Sequence, residues 1–250
     1  MAGSGSRLRA SGKLVPKPLV LVLQQPLISY VIDCFSRAGV RTLHAVVGSQ
    51  SERLLAGLKP LVPRGMQLHP IKNPHWKMQN GISLLSAEKR VAAPFLLTMG
   101  DHLFEYSLVD VLLRHGDRDQ LNLAIDKKIA SIFDLEDAMK VRTQDNRVVG
   151  IGKHLATYDA IDTGMFLCPP EIFAYLKAAQ RNGDCSLADG VRLMAADNKV
   201  RAIDIGEVWW QDVDTEAMLA RAEEELLMRL RRSESVTLSS KADGRLAREY

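Results

Sequence analysis

The sequence predicts an α/β fold with helices on both faces of a mixed, mostly parallel sheet. Two observations carry that prediction. Apolar strand-like runs alternate with segments of helical periodicity over most of the chain, the pattern of strand–helix–strand units. The chain has 250 residues, 46% of them hydrophobic and 25% charged, enough to bury one large globular core.

The elements follow in order. PLVLVL reads as a short strand. PLISYVIDCFSRAG places Leu27, Val31, Ile32 and Phe35 at helical spacing and closes on Gly39, a good helix stop. TLHAVVG is a strand, SERLLAGL a helix, MQLHPI a strand, and NGISLLSAEKR begins a helix after a polar turn. VAAPFLLTMGD is a buried-type strand ending at Gly100 and Asp101. SLVDVLLRH is a helix that Ser107 is placed to cap, and LNLAID a strand. AMKVRTQDNRVVGIGK then reads as two strands about the turn residues Asp145 and Asn146. AIDTGMFLC is a strand, with helices over 169–181 and SLADGVRLMAAD. VRAIDIGEVWW is a strand, and TEAMLARAEEELLMRL the last helix. Residues 1–232 are read as one domain and the polar, patternless 233–250 as a flexible tail.

Charge and composition exclude several classes. The net charge of +3 arises after residue 228, so the body is neutral and no nucleic-acid partner is expected. No apolar run approaches the ~20 residues of a membrane-spanning helix, and the N-terminus lacks the apolar block of a secretory signal. Cys34, Cys168 and Cys185 are widely spaced, as in a reduced, cytoplasmic chain.

Residues able to do chemistry gather at strand ends, where open α/β sheets bind ligands. Gly3 and Gly5 let backbone amides approach phosphates, and Arg7 and Lys17 add positive charge, although a mobile start would carry the same glycines. Asp101 ends a strand as a hard-oxygen ligand for Mg²⁺. Asp212 and Asp214, two apart, project to one side of an extended chain and are placed to complete that site; Asp214 or Thr215 also suits the cap of the last helix. Asn80 and Gly81 stand at a helix start, suited to a base edge or merely to a turn. Lys153, Asp162, Thr163 and Gly164 mix charge and hydroxyl as a phosphorylated polyol requires, and Asp126 ends a further strand. His75, His102 and His154 are too scattered for a zinc site and are read as surface or supporting residues.

Taken together, GSGSRL, KPLV, NGISLL, TMGDH, IGKHL, DAIDTG and WWQDVDT resemble the sugar-nucleotide-type nucleotidyltransferases, chiefly the inositol-1-phosphate cytidylyltransferase branch and its MobA-like relatives. The resemblance runs from Ala2 to about Leu230. It implies a Rossmann-like, GT-A-like domain that joins a nucleoside triphosphate, CTP above all, to a phosphorylated polyol or sugar and releases pyrophosphate. By that resemblance Gly3, Gly5, Ser6, Arg7 and Lys17 hold the triphosphate, and Asn80 and Gly81 lie near the base. Asp101 and Asp212 hold Mg²⁺, with Asp214 a third ligand. Lys153, Thr163 and Gly164 hold the acceptor. A phosphate monoester is already largely dianionic at neutral pH, so this reaction needs cations and alignment rather than a general base.

The resemblance further implies a central apolar strand just before GSGSRL, which only Met1 and Ala2 precede here. Losing four buried aliphatic side chains forfeits roughly 6–12 kcal/mol, comparable to the ~5–15 kcal/mol of a whole domain. The expectation is therefore a chain that continues upstream. KADGRLAREY faintly resembles the lead-in to a membrane-embedded CDP-alcohol phosphotransferase, a functional link some relatives carry. Three alternatives stay open: a catalytically silent nucleotide-binding domain, a UTP-, dTTP- or GTP-dependent sugar-1-phosphate enzyme, and a GT-A-like glycosyltransferase.

Overall fold

A computed structural model describes residues 15–48 and 51–246, with side chains to residue 232. The expected phosphate-binding residues Gly3, Gly5, Ser6 and Arg7 lie outside the described residues.

PLVLVL is not one strand. Pro16 and Pro18 favour a 3₁₀ turn over Lys17–Leu19, and the chain then folds into a tiny hairpin of β1 (Leu21–Val22) and β2 (Gln25–Pro26). Its turn residues Leu23 and Gln24 both take left-handed φ values, 47° and 66°. Helix α1 (Leu27–Arg37) buries its apolar stripe and ends at Gly39, whose φ of 80° is the left-handed conformation glycine takes freely. β3 (Thr42–Val47), α2 (Ser51–Leu58) and β4 (Gln67–Lys72) make a strand–helix–strand unit with the two strands parallel.

α3 (Asn80–Leu85) leads to β5 (Phe95–Thr98), β6 (His102–Phe104) and α4 (Tyr106–His115). Glu105, not Ser107, stands at the start of α4, because the helix begins two residues earlier than a Ser107 cap implies. β7 (Leu121–Asp126) is buried throughout. β8 (Lys140–Gln144) and β9 (Arg147–Gly152) form the expected hairpin about Asp145 and Asn146, both at positive φ. β10 (Ala160–Cys168), α5 (Ile172–Ala179), α6 (Leu187–Ala196), β11 (Val200–Asp204), β12 (Trp210–Asp212) and α7 (Glu216–Leu246) complete the chain. α7 therefore stays helical past residue 232, the expected end of the domain. It contains no proline and one glycine, Gly244, so nothing in its sequence breaks it sharply. No helix among the described residues is long and apolar enough to cross a membrane.

The central sheet has six strands in the order β5-β10-β7-β11-β9-β8. It is mixed, as expected, but its ladders are mostly antiparallel rather than parallel. Only β11 runs parallel to its neighbour β7, because β10 inserts in reverse between β5 and β7. Apolar periodicity reports which face a residue occupies and carries no strand direction. Along β7, Leu121, Leu123 and Ile125 pack toward α5 and α6, while Ala124 packs toward α1 and α4. A smaller cluster of Val22, Leu27, Leu103, Val213 and Ala222 seats the β1–β2 hairpin on α7.

β3 and β4 form a separate sheet of two strands. Among the described residues, β3 pairs only with β4, and β5 only with β10. Their remaining edges line one cavity of about 1170 Å³, roofed by Ile28, Val31, Ile32 and Phe35 of α1. All four residues of β5 are half-buried there, although FLLT reads as an interior strand. The Nδ1 of His44, on β3, is buried without a hydrogen-bond partner.

Candidate active site

One end of this cavity collects charge. The chain leaves β5 through Met99 and Gly100 to Asp101, then returns as β6, which pairs antiparallel with β12. The register sets Asp212 opposite His102, and the Val213 amide donates to the Asp101 carbonyl over 2.9 Å. Strand alternation puts His102, Trp210 and Asp212 on one face of this ladder. On the other face Leu103 is buried and the Gln211 amide donates to the Met218 carbonyl. The ladder thereby brings Asp101 and Asp212 to the same end of the cavity from positions far apart in sequence.

Lys17 closes the arrangement from the other side. Its ammonium donates to Asp101 Oδ2 over 2.7 Å and to Asp214 Oδ1, with all three side chains largely screened from solvent. Thr215, not Asp214, caps α7, accepting from the Met218 amide over 3.2 Å. Two carboxylates converging on one cation, with Asp212 beside them, are the hard-oxygen donors that a divalent cation takes. In this structure the Lys17 ammonium bridges Asp101 and Asp214. Among the described residues no set of three His, Cys, Asp or Glu donors is already gathered at ligand spacing.

The electrostatics of the site are strongly perturbed. Burial alone would raise the Asp101 pKa, but the hydrogen bond and charge of His102, followed by Lys17, hold this carboxyl well below its ordinary range. Burial would lower the His102 pKa; its bond to Asp101 and the charges of Asp101, Asp212 and Asp162 outweigh burial and raise it. Asp162 is pushed up to about 6 by burial, opposed by the Gly164 amide and the charge of His102.

Other expected residues are placed differently. Lys153 lines the cavity with its ammonium on Asp137, and Asp162 lines it with its carboxylate accepting from the Gly164 amide over 2.7 Å. Asp126 is a correction. It is 2% exposed, and its carboxylate is taken by the Lys128 amide, the Lys128 ammonium and the Trp210 indole. Thr163 is another: it is 1% exposed and its hydroxyl donates to the Ala124 carbonyl, because strand alternation turns it into the core. Asn80 still lines the cavity, but its side-chain oxygen accepts from the Leu187 amide. Gly81 serves packing rather than a base: a Cβ there would lie 2.6 Å from the Cys185 carbonyl oxygen. Gly164, at φ 72°, likewise leaves room for a side chain, since a Cβ would lie 2.5 Å from His102 Nε2.

Sequence reasoning missed Trp210, and gave His102 no partner. The period of two that pairs Asp212 with Asp214 also puts Trp210 on the face of Asp212, and that was the available signal.

Residues 1–130 match the family model described as a MobA-like NTP transferase domain. A bifunctional IPC transferase and DIPP synthase from Rubrobacter xylanophilus is 33% identical over 229 residues, covering 90% of this chain and 50% of that protein. Its namesake from Archaeoglobus fulgidus is 30% identical over 248 residues, covering 99% and 46%. The chain thus spans about half the length of the curated relatives it matches. Among solved structures, the inositol-1-phosphate CTP transferase from T. maritima matches with a TM-score of 0.76 at 26% identity, over 89% of this chain and 93% of that one. A UDP-glucose pyrophosphorylase complexed with UDP-glucose gives a TM-score of 0.76 at 16% identity over 91% and 96%, a likeness of fold. The chain belongs to the MobA-like NTP transferases and has their Rossmann-like α/β nucleotidyltransferase fold.

Proposed function

We propose that this chain is a nucleotidyltransferase that joins CTP to a phosphorylated polyol such as inositol 1-phosphate and releases pyrophosphate. The observation that carries this reading is the meeting of Lys17, Asp101, Asp212 and Asp214 at one end of a large cavity. That cavity, about 1170 Å³, exceeds the ~300–1,000 Å³ usual for one small ligand. The names of the relatives and of the T. maritima neighbour support CTP and an inositol phosphate over other pairs.

The attacking phosphate brings its own negative charge, so the chain has no proton to remove from it. Its task is to hold two anions in line and offset their repulsion. Both Lys17 and Lys153 line the cavity, and in this reading Lys17 would act on the triphosphate and Lys153 on the acceptor. Asp101, Asp212 and Asp214 would hold a divalent metal, for which Mg²⁺ suits the oxygen donors. When bound, that ion neutralises phosphate charge and polarises the reacting phosphorus centre. Asp101 is suited to this because its carboxyl stays ionised.

Buried, unpaired Cys34, Cys168 and Cys185 favour a cytoplasmic setting. The bifunctional names of the half-matched relatives favour a downstream enzyme that consumes the nucleotide-linked product, in keeping with a membrane CDP-alcohol phosphotransferase.

Pyrophosphate release with CTP, UTP, dTTP and GTP against a panel of phosphorylated polyols and sugar 1-phosphates tests the reading. The expected result is turnover with CTP and inositol 1-phosphate, reduced on the order of 10²–10³-fold in Lys17→Ala and Asp101→Asn. Triphosphate binding without turnover would make the domain a silent nucleotide binder; preference for another pair would correct the substrates.

A further inference from the structure

We propose that His102 is a positioning residue that selects which oxygen of Asp101 faces the reactants, an assignment that rests on Asp101 being a cation-binding carboxylate. An ionised carboxylate only accepts, so the 2.7 Å contact between His102 Nδ1 and Asp101 Oδ1 has its proton on Nδ1. Oδ1 is thereby occupied. Oδ2 turns the other way, to the Lys17 ammonium.

The imidazole is itself held on two sides. Its ring stacks on Trp210, with centroids 5.9 Å apart and planes within 16°. The Trp210 indole donates over 2.9 Å to Asp126, whose buried carboxylate is anchored by Lys128. Nε2 abuts Gly164, where a Cβ would intrude to 2.5 Å, so the close approach of that backbone fixes the far side of the ring. The route Asp126–Trp210–His102–Asp101 therefore ends in one oriented carboxylate and gives buried Asp126 a purpose at the site without substrate contact. Groups that orient ligating carboxylates are typically worth ~10–100-fold in metal affinity or activity.

The test uses Mn²⁺ as the probe, with the free ion followed by paramagnetic resonance on the full chain and no reactants present. His102→Leu removes the donor. His102→Asn keeps an amide N–H close to the position of Nδ1–H. Mn²⁺ affinity is expected to fall ~10–100-fold in the leucine variant and to stay within a few-fold of wild type in the asparagine variant. Trp210→Phe, which keeps the stacked ring and loses the donor to Asp126, is expected to fall between them. In steady state the leucine variant lowers kcat, with little change in KM for the acceptor.

Wild-type affinity in His102→Leu, or equal loss in both His102 variants, would overturn the assignment. Should the leucine variant fail to fold, His102→Asn decides alone: a loss of tenfold or more in Mn²⁺ affinity overturns it. Wild-type protein that binds Mn²⁺ but releases no pyrophosphate with any pair overturns the functional reading and leaves the positioning role standing. Wild-type protein that binds no Mn²⁺ overturns the cation-binding role of Asp101, and the assignment with it.

Discussion

Gly164 and Asp162, neighbours but one on β10, set opposite demands on the site. At Gly164 a methyl group would meet the His102 ring and would also sit at a left-handed φ of 72°. Gly164→Ala is therefore expected to destabilise by about 2–4 kcal/mol, overpacking and backbone strain together, read as a drop in the urea midpoint. An unchanged midpoint would show that the ring moves freely. Asp162 acts through its proton. With its carboxyl pushed up to about 6 from an ordinary value of 3.8, the folded chain keeps a proton that the unfolded chain has lost. The resulting stabilisation is complete below about pH 4 and disappears as the pH rises through about 6. Asp162→Asn is expected to flatten that slope and raise stability at pH 7 on the order of 1 kcal/mol, discounted for partial exposure. Thermal melts between pH 4 and 8 decide it; an undiminished slope in the variant would assign the titration elsewhere.

The β1–β2 hairpin shows an element folded against its local preference. Two-residue turns of this shape favour Asn-Gly, yet Leu23 and Gln24 occupy both left-handed positions. The turn is held by context: the Leu23 amide donates to Glu223 of α7 over 2.8 Å, and Tyr30 donates to the Val22 carbonyl over 2.9 Å. Replacing Leu23-Gln24 by Asn-Gly keeps those backbone bonds, and is expected to stabilise by about 1–2 kcal/mol. A lower melting temperature would mean that the Leu23 side chain contributes more than its strain costs. The same element explains what could be read in advance. Long periodic segments such as α1 and α6 were legible, as was the Asp145–Asn146 turn, because their signals are local. PLVLVL was not, since its hairpin is held by contacts from outside the segment, from α1, β6 and α7. Asp101 and Asp212 at strand ends, and the charge of Lys17 after the opening loop, can be picked out from the sequence as candidates, and all three line one cavity. Their supports were hidden, because β6 and β12 are three residues long, too short for periodicity to separate the Trp210 face from the Gln211 face. Thr163 and Asp126 sit on strands correctly located in the sequence, but a period of two does not say which face meets the cavity.

At the scale of the whole molecule, the sheet is divided. Among the described residues, the unpaired edges of β3 and β5 line one cavity. The division also has a consequence for cooperativity. Among the described residues no ladder bonds join β3 to β5, and the β3–α2–β4 unit meets the remainder through side-chain packing, whereas β7 and β10 share backbone bonds on both sides. Such a unit can open sub-globally. Hydrogen–deuterium exchange would then separate the chain into two populations, β3 and β4 exchanging well before β7 and β10, and denaturation followed by probes in the two regions would give two midpoints instead of one.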